Sequence, residues 1–216
     1  MRVPQEAQEA AKAPQRAYPG DWIGFDLDLT LVDSRPGIGL CLSLLAEQTG
    51  THIDVPLALS RIGPPIEVEL ANWFPSARVP EATAAFRTFM AHSGIQACQL
   101  MEGAAHTVET LRSYGINVMV VTAKPTNLAA ATLHAVNIHV DAIAGGLWHL
   151  DKATALMQRN ATTYVGDHVA DIDAAKQAGA YAIAVATGSH STSELVSAGA
   201  DLVVADLVGL GDRLIA

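Results

Sequence analysis

The residues of this chain that are best suited to chemistry are two pairs of aspartates. Asp26 and Asp28 follow a short apolar run, and Asp167 and Asp171 follow a second one. Four carboxylates brought to one place repel one another unless a cation, and an anionic substrate with it, shares the site. Clusters of this kind are typical of active sites.

Both pairs have the same predicted context of strand, acidic loop and helix. The run 22–25 is short and apolar, and the run 162–165 is short, β-branched and aromatic, so both predict strands. The segment 171–178 predicts a helix that ends at Gly179. Ligands bind at the carboxyl ends of strands in open α/β sheets, so Asp26 and Asp167 should share one edge of a sheet. A single aspartate after a strand is more often a helix cap or turn former, and the functional interpretation rests on the recurrence.

A third apolar run, between the two pairs, ends in Thr122 and continues with Ala123, Lys124 and Pro125. Pro125 can open a helix whose free N–H groups would hold an anion. Lys124 would either contact a phosphate or lie on the surface, held out by the proline. Lys152, near the start of a predicted helix, is a second lysine at the end of the sheet.

These four segments resemble the four motifs of the haloacid dehalogenase superfamily of aspartate-nucleophile phosphatases. DLDLT at 26–30 is similar to the DxDxT signature, Thr122 to the second motif, Lys152 to the third, and GDHVAD at 166–171 to GDxxxD. The match is ordered and correctly spaced over about residues 20–210. DLDLTLVDSRPGI, RIGPPI and VVTAKP resemble the phosphoglycolate phosphatase-like branch, which has a helical cap between its first and second motifs.

The predicted fold class is α/β, a Rossmann-like parallel sheet core with an inserted α-helical cap. Alternating strands and helices impose a mostly parallel sheet that is covered on both faces. The resemblance implies the strand order 3-2-1-4-5, which would place the strands that end in Asp26, Thr122 and Asp167 side by side. We expect a flexible N-terminal tail at 1–19, the catalytic core at 20–33 and 102–216, and the cap at 34–101.

The expected cap shows only helical patterns. Glycine or proline ends each of them, which predicts helices over 36–49, 55–62, 65–74 and 80–92. Such an insert should pack partly over the active end of the sheet, where closing would exclude water from a reactive intermediate.

The resemblance implies a role for each acidic residue. Asp26 would be the nucleophile that forms an aspartyl-phosphate, and Asp28 would act as general acid and then as general base. Mg²⁺ would be held by Asp26, the backbone carbonyl of Asp28 and Asp167. Asp171 would either bind the metal through water or orient Lys152.

The remaining candidates would bind the substrate. Thr122 and the backbone that follows it at Ala123 and Lys124 would hold phosphate oxygens, and Lys152 would offset their charge. Arg61, in the RIGPPI turn, would read a second anionic group such as a carboxylate. Its alternative role is that of a surface arginine stabilised at a helix C-terminus.

Composition narrows the class of partner. The net charge is −9 and only 16% of residues are charged, so no basic face is expected for nucleic acid. The sequence has neither a membrane-spanning run nor a signal-peptide pattern, and Cys41 and Cys98 have no disulfide or zinc spacing. We therefore expect a cytoplasmic enzyme for a small phosphorylated metabolite, monomeric or homodimeric, with buried thiols.

Three alternatives remain open. A dehalogenase would need neither a metal nor Asp28, and a phosphomutase would tend to have Val in place of Thr30. A phospho-acceptor domain resembling a response-regulator receiver would lack the helical insert and the second aspartate. Metal-dependent multiple turnover distinguishes a phosphatase from a receiver.

Overall fold

The computed structural model describes residues 16–216. Its strands are β1 (Trp22–Phe25), β2 (Val32–Asp33), β3 (Gln99–Leu100), β4 (Asn117–Thr122), β5 (Ala142–Gly145), β6 (Ala161–Gly166), β7 (Tyr181–Val185) and β8 (Leu202–Val204). Its α-helices are α1 (Arg35–Thr49), α2 (Val55–Leu59), α3 (Ile66–Leu70), α4 (Val79–Phe89), α5 (Ile95–Ala97), α6 (Ala104–Ser113), α7 (Thr126–Ala135), α8 (Asp151–Gln158), α9 (Val169–Ala178), α10 (Thr192–Ser197) and α11 (Leu210–Ile215).

Six strands form one sheet in the order β5-β4-β1-β6-β7-β8, and every neighbouring pair is parallel. Numbered along the chain, the core strands therefore lie in the order 3-2-1-4-5-6. The predicted α/β class and the order 3-2-1-4-5 are confirmed, and β8 adds a sixth strand at the edge. Since β1 lies between β4 and β6, the strand ends that carry Asp26, Thr122 and Asp167 are neighbours.

Both faces of the sheet are covered by helices. Leu111 of α6 and Leu133 of α7 pack in one apolar cluster with Phe25 of the central strand. Leu156 of α8 and Ile172 of α9 pack in another cluster, on the opposite face. Parallel strands that are buried on both faces need near-continuous apolar sequence, which is why the strand runs are legible in this chain.

The helical insertion, α1 to α5, lies between β2 and β3, which pair antiparallel with each other. Its apolar side chains, including Leu42, Phe86 and Met90, belong to the same buried cluster as Phe25 of the sheet. The insertion is thus packed on the core rather than held by its two connections alone.

Two helices of the insertion are shorter than the sequence predicts. Helix α2 ends at Leu59 rather than near residue 62, and α3 ends at Leu70 rather than at 74. Between them Gly63 has φ +149, a conformation outside the helical region, and Pro64 and Pro65 follow. The fourth helix continues through a π-helical turn, Met90–Gly94, where Gly94 lets the chain pass close to Cys41.

The N-terminal segment packs on the core from residue 17. Ala17 is buried, and its N–H donates to the Leu214 carbonyl at 2.7 Å. Of the predicted tail over 1–19, residues 1–15 lie outside the described residues. Within 16–216, no helix has the length and apolar character that crossing a bilayer requires.

Candidate active site

Asp26 and Lys152 meet at the carboxyl edge of the sheet. Asp26 follows β1, where its N–H donates to the Val165 carbonyl at 2.8 Å. The Nζ of Lys152 lies 3.1 Å from Asp26 Oδ1, and the two residues are 1% and 6% exposed. Burial raises the pKa of Asp26 to about 7, although the Lys152 charge opposes this rise. The carboxylate predicted as nucleophile is therefore enclosed with a cation beside it.

Asp171 holds Lys152 from the other side. Its Oδ1 accepts from Lys152 Nζ at 2.7 Å and from the Tyr164 hydroxyl at 3.2 Å. Its Oδ2 accepts from the His168 N–H at 3.1 Å, which completes the capping box of α9. Burial opposes the charge of Lys152, but Asp171 and Asp26 raise its pKa above the usual value. Both Asp171 oxygens are thus occupied by protein donors.

Asp167 lies directly after β6 and is 2% exposed. Its Oδ1 accepts from the Thr30 hydroxyl at 2.9 Å. Gly188 packs on the other side, where a Cβ would come within 1.9 Å of Asp167 Oδ2. Burial, followed by the charges of Asp26 and Asp171, raises the pKa of Asp167 well above its usual range. The two carboxylates predicted as metal ligands both resist ionisation in their present surroundings.

These acidic side chains fit a divalent cation. One oxygen each from Asp26, Asp167 and Asp171 lies within 4.8 Å of the others. Asp26 Oδ1 is buried and paired with Lys152 by charge, but it accepts no well-aligned hydrogen bond, so it has room for a further positive partner. Anionic oxygens are the ligands that Mg²⁺ takes in proteins. Such an ion would offset both the burial and the repulsion between carboxylates that raise the pKa values of Asp26 and Asp167.

Asp28 points to a second lysine. Its Oδ1 accepts from Lys124 Nζ at 2.5 Å, and both side chains are largely buried. Asp28, Ala123 and Lys124 line a cavity of about 80 Å³ between core and insertion. Thr122, at the end of β4, is 1% exposed, and its Oγ1 accepts from the Lys124 N–H at 3.2 Å. The two lysines predicted at the end of the sheet thus have different partners: Lys152 lies beside Asp26, and Lys124 lies beside Asp28.

Arg61 lines the same cavity from the insertion but already has partners. Its Nε and Nη2 donate to both oxygens of Glu69, at 2.9 and 2.6 Å. Trp73 Nε1 donates to Glu69 at 2.7 Å, and its ring lies 5.8 Å below the Arg61 guanidinium. Arg61, which was predicted to bind a carboxylate of the substrate, thus lies at the cavity but is already paired with the carboxylate of Glu69.

The match to known proteins agrees with this geometry. A family model described as haloacid dehalogenase-like hydrolase matches residues 23–185. The chain belongs to this family. A phosphoglycolate phosphatase from Haemophilus influenzae is 28% identical over 214 residues, which cover 87% of this chain and 95% of that protein.

Solved structures support the same assignment. A haloacid dehalogenase-like hydrolase from Streptococcus pneumoniae has a TM-score of 0.78 and 25% identity, covering 88% of this chain and 96% of that one. A predicted phosphoglycolate phosphatase from Haemophilus somnus has a TM-score of 0.77 at 21% identity, covers 88% and 96%, and shows the shared fold alone. The predicted resemblance to haloacid dehalogenase-like hydrolases of the phosphoglycolate phosphatase-like branch, which have a helical insertion, is confirmed.

Three residues of this hydrolase's site make contacts that were not expected from its sequence. The Thr30 hydroxyl on Asp167 could have been suspected, because Thr30 ends the DxDxT signature. Tyr164, which donates to Asp171 and to the Val121 carbonyl, gave no signal inside its apolar strand. The ring of His168 lies between those of Trp148 and His190, at 5.1 and 4.3 Å between centroids.

Proposed function

We propose that this protein is a Mg²⁺-dependent phosphatase that hydrolyses a small phosphomonoester through an aspartyl-phosphate on Asp26. The observation that carries the proposal is that Asp26, Asp167 and Lys152 lie together in a buried cluster. Asp28, two residues after Asp26, lines the neighbouring cavity. A site with two carboxylates whose pKa is raised and one buried ammonium suits a dianionic ester and a divalent cation.

The metal would be held by Asp26, the backbone carbonyl of Asp28 and Asp167. Bound there, Mg²⁺ would neutralise charge on the phosphoryl oxygens. Asp171 would orient Lys152 rather than bind the metal, since Lys152, Tyr164 and the His168 N–H already occupy its two oxygens. This assignment favours one of the two roles that the sequence left open for Asp171.

Asp26 would attack phosphorus as the ester P–O bond breaks. Asp28 would give its proton to the departing alkoxide, which leaves as the alcohol, and Lys124 at 2.5 Å would stabilise the carboxylate that results. In the second step Asp28 would take a proton from water, which attacks phosphorus and frees Asp26. Thr122 and the amides of Ala123 and Lys124 would hold phosphate oxygens, and Lys152 would offset their charge.

The physiological ester remains a proposal. The curated relative from Haemophilus influenzae makes phosphoglycolate the first compound to assay. Arg61 would have to share or exchange its Glu69 partner in order to read a substrate carboxylate. The division into a core at 20–33 and 102–216 and a cap at 34–101, a cytoplasmic location and a monomeric or homodimeric state likewise stay predictions.

Turnover of p-nitrophenyl phosphate tests the proposal. We expect multiple turnovers in Mg²⁺ and none in excess EDTA, with activity restored when Mg²⁺ is added back. A single equivalent of nitrophenol per protein would favour a phospho-acceptor domain instead. Phosphate retained and passed to a second hydroxyl of the substrate would favour a phosphomutase, and haloacid turnover in EDTA a dehalogenase.

A further inference from the structure

The insertion approaches the fourth motif, GDHVAD at 166–171, where Gly63 faces His168. Gly63 lies so near the His168 ring that a Cβ at position 63 would come within 2.7 Å of Cδ2 and 3.3 Å of Nε2. Gly63 belongs to the turn between α2 and α3, and Arg61, Gly63 and Pro64 of that turn line the cavity next to Asp28. The contact therefore sets the position of a cavity wall.

The His168 ring cannot easily move away from that contact. Its Nδ1 accepts from the Ala170 N–H at 3.0 Å, because His168 is the N-cap of α9. Trp148 and His190 lie edge-on to the ring at 5.1 and 4.3 Å between centroids. A side chain at position 63 would have to displace the turn instead of the ring.

His168 also joins the turn to the acidic cluster. It follows Asp167 directly, and its backbone N–H donates to Asp171 Oδ2 at 3.1 Å. The residue on which the insertion rests is thus part of the loop that presents one candidate metal ligand and the partner of Lys152.

We infer that His168 is a positioning residue for the proposed phosphatase reaction, and that its ring is the surface on which the bare backbone of Gly63 rests when the insertion closes over the ester. The inference builds on the proposed function. It assigns to the pair a steric complementarity: a larger residue at 63 requires a smaller one at 168.

A double-mutant cycle tests this complementarity. Gly63→Ala, His168→Ser and the double variant are assayed with p-nitrophenyl phosphate and with phosphoglycolate in saturating Mg²⁺. We expect Gly63→Ala to lower kcat/KM about tenfold or more, because the turn is held away from the cavity, and the double variant to recover to within about threefold of His168→Ser. Recovery means that the double variant exceeds Gly63→Ala in kcat/KM, which steric relief predicts and backbone strain at position 63 does not.

Backbone strain is the competing explanation, because Gly63 has φ +149. Gly50→Ala is the matched control: Gly50 also lies in the insertion with a positive φ of 64, but open space surrounds its Cβ position. We expect Gly50→Ala to keep wild-type kcat/KM, with its Tm reporting the strain. Thermal unfolding of every variant confirms that the protein is folded.

Different results would overturn the pairing of Gly63 with His168 and the proposed phosphatase function. If the two substitutions act independently, the fold-decrease in kcat/KM of the double variant equals the product of the two single fold-decreases. That result overturns the pairing of Gly63 with His168. Wild-type kcat/KM in Gly63→Ala also overturns it. Wild-type protein that turns over neither ester in Mg²⁺ overturns the proposed function itself.

Discussion

Lys152 and Asp171 form a fully enclosed ion pair, with Nζ 2.7 Å from Oδ1 and both residues at most 2% exposed. The same ammonium lies 3.1 Å from Asp26 Oδ1, so one buried cation serves two buried carboxylates. Removing it would leave both carboxylates without their counter-charge in a medium of low dielectric.

Lys152→Met should therefore destabilise the metal-free protein. We expect a loss of about 3–5 kcal/mol in the free energy of unfolding, measured by urea titration in EDTA. Arg112→Met is the control, because Arg112 pairs with Asp141 in an exposed bridge and should cost about 1 kcal/mol or less. Equal small losses in the two variants would show that Lys152 does not neutralise the cluster.

The motifs were readable in the sequence because they are local. Thr122 ends β4, and Asp26 and Asp167 directly follow β1 and β6. These strands are largely buried, and parallel packing brings their carboxyl ends together. Lys152 follows no strand, so its position in the chain only suggested a place near the sheet, and its role depended on the resemblance.

Contacts between distant segments could not be read in the same way. Tyr164 has the pattern of any buried strand residue, and only the fold brings its hydroxyl to Asp171. Arg61 and Glu69 are eight residues apart and meet only because the chain breaks at Gly63 between two short helices. Periodicity predicted those helices as longer, since it carries no information on where tertiary contacts interrupt them.

The two cysteines should be inert in the folded protein. Cys41 and Cys98 are both buried, and burial raises the pKa of Cys41 to about 12 and that of Cys98 above its usual value. A raised thiol pKa disfavours the reactive thiolate at neutral pH. We expect no reaction with a thiol-directed chromogenic disulfide at pH 8 in native buffer and two equivalents in denaturant. Rapid native labelling would contradict the packing of the insertion.

Mg²⁺ should stabilise the protein as well as activate it. At a concentration about 100-fold above its Kd, it should add about 2.7 kcal/mol to the unfolding free energy. For a chain of this size, that corresponds to a rise in Tm of roughly 5–10 °C. The measurement is thermal unfolding after exhaustive metal removal, with NaCl of equal ionic strength as the control.

Asp167→Asn should lose most of this metal-dependent rise, because it removes a candidate ligand. Ca²⁺ should raise the Tm yet inhibit turnover, since its larger and looser coordination misplaces the nucleophile. A Tm that is the same in Mg²⁺ and NaCl would argue against a metal at these aspartates.

Asp28→Asn should slow both half-reactions to different extents. Loss of a general acid and base costs typically 10²–10⁴-fold, but p-nitrophenol leaves readily without a proton. Phosphorylation by p-nitrophenyl phosphate should therefore persist while hydrolysis of the intermediate slows. Rapid-quench measurements should show a nitrophenol burst and accumulated phosphoenzyme in the variant. A variant that hydrolyses alkyl and nitrophenyl phosphates with wild-type kcat would remove Asp28 from the mechanism.

The central claim is that Asp26 carries the phosphoryl group, and chemical trapping tests it most directly. Protein quenched during turnover is treated with borohydride, which reduces an acyl phosphate to an alcohol, and the modified residue is located by peptide mass spectrometry. We predict reduction at Asp26 only in the presence of both Mg²⁺ and substrate. We also predict at least a thousandfold loss of kcat in Asp26→Asn, about 4 kcal/mol in the barrier. Reduction at another carboxylate, or Asp26→Asn that retains more than about a thousandth of wild-type kcat, would contradict the account.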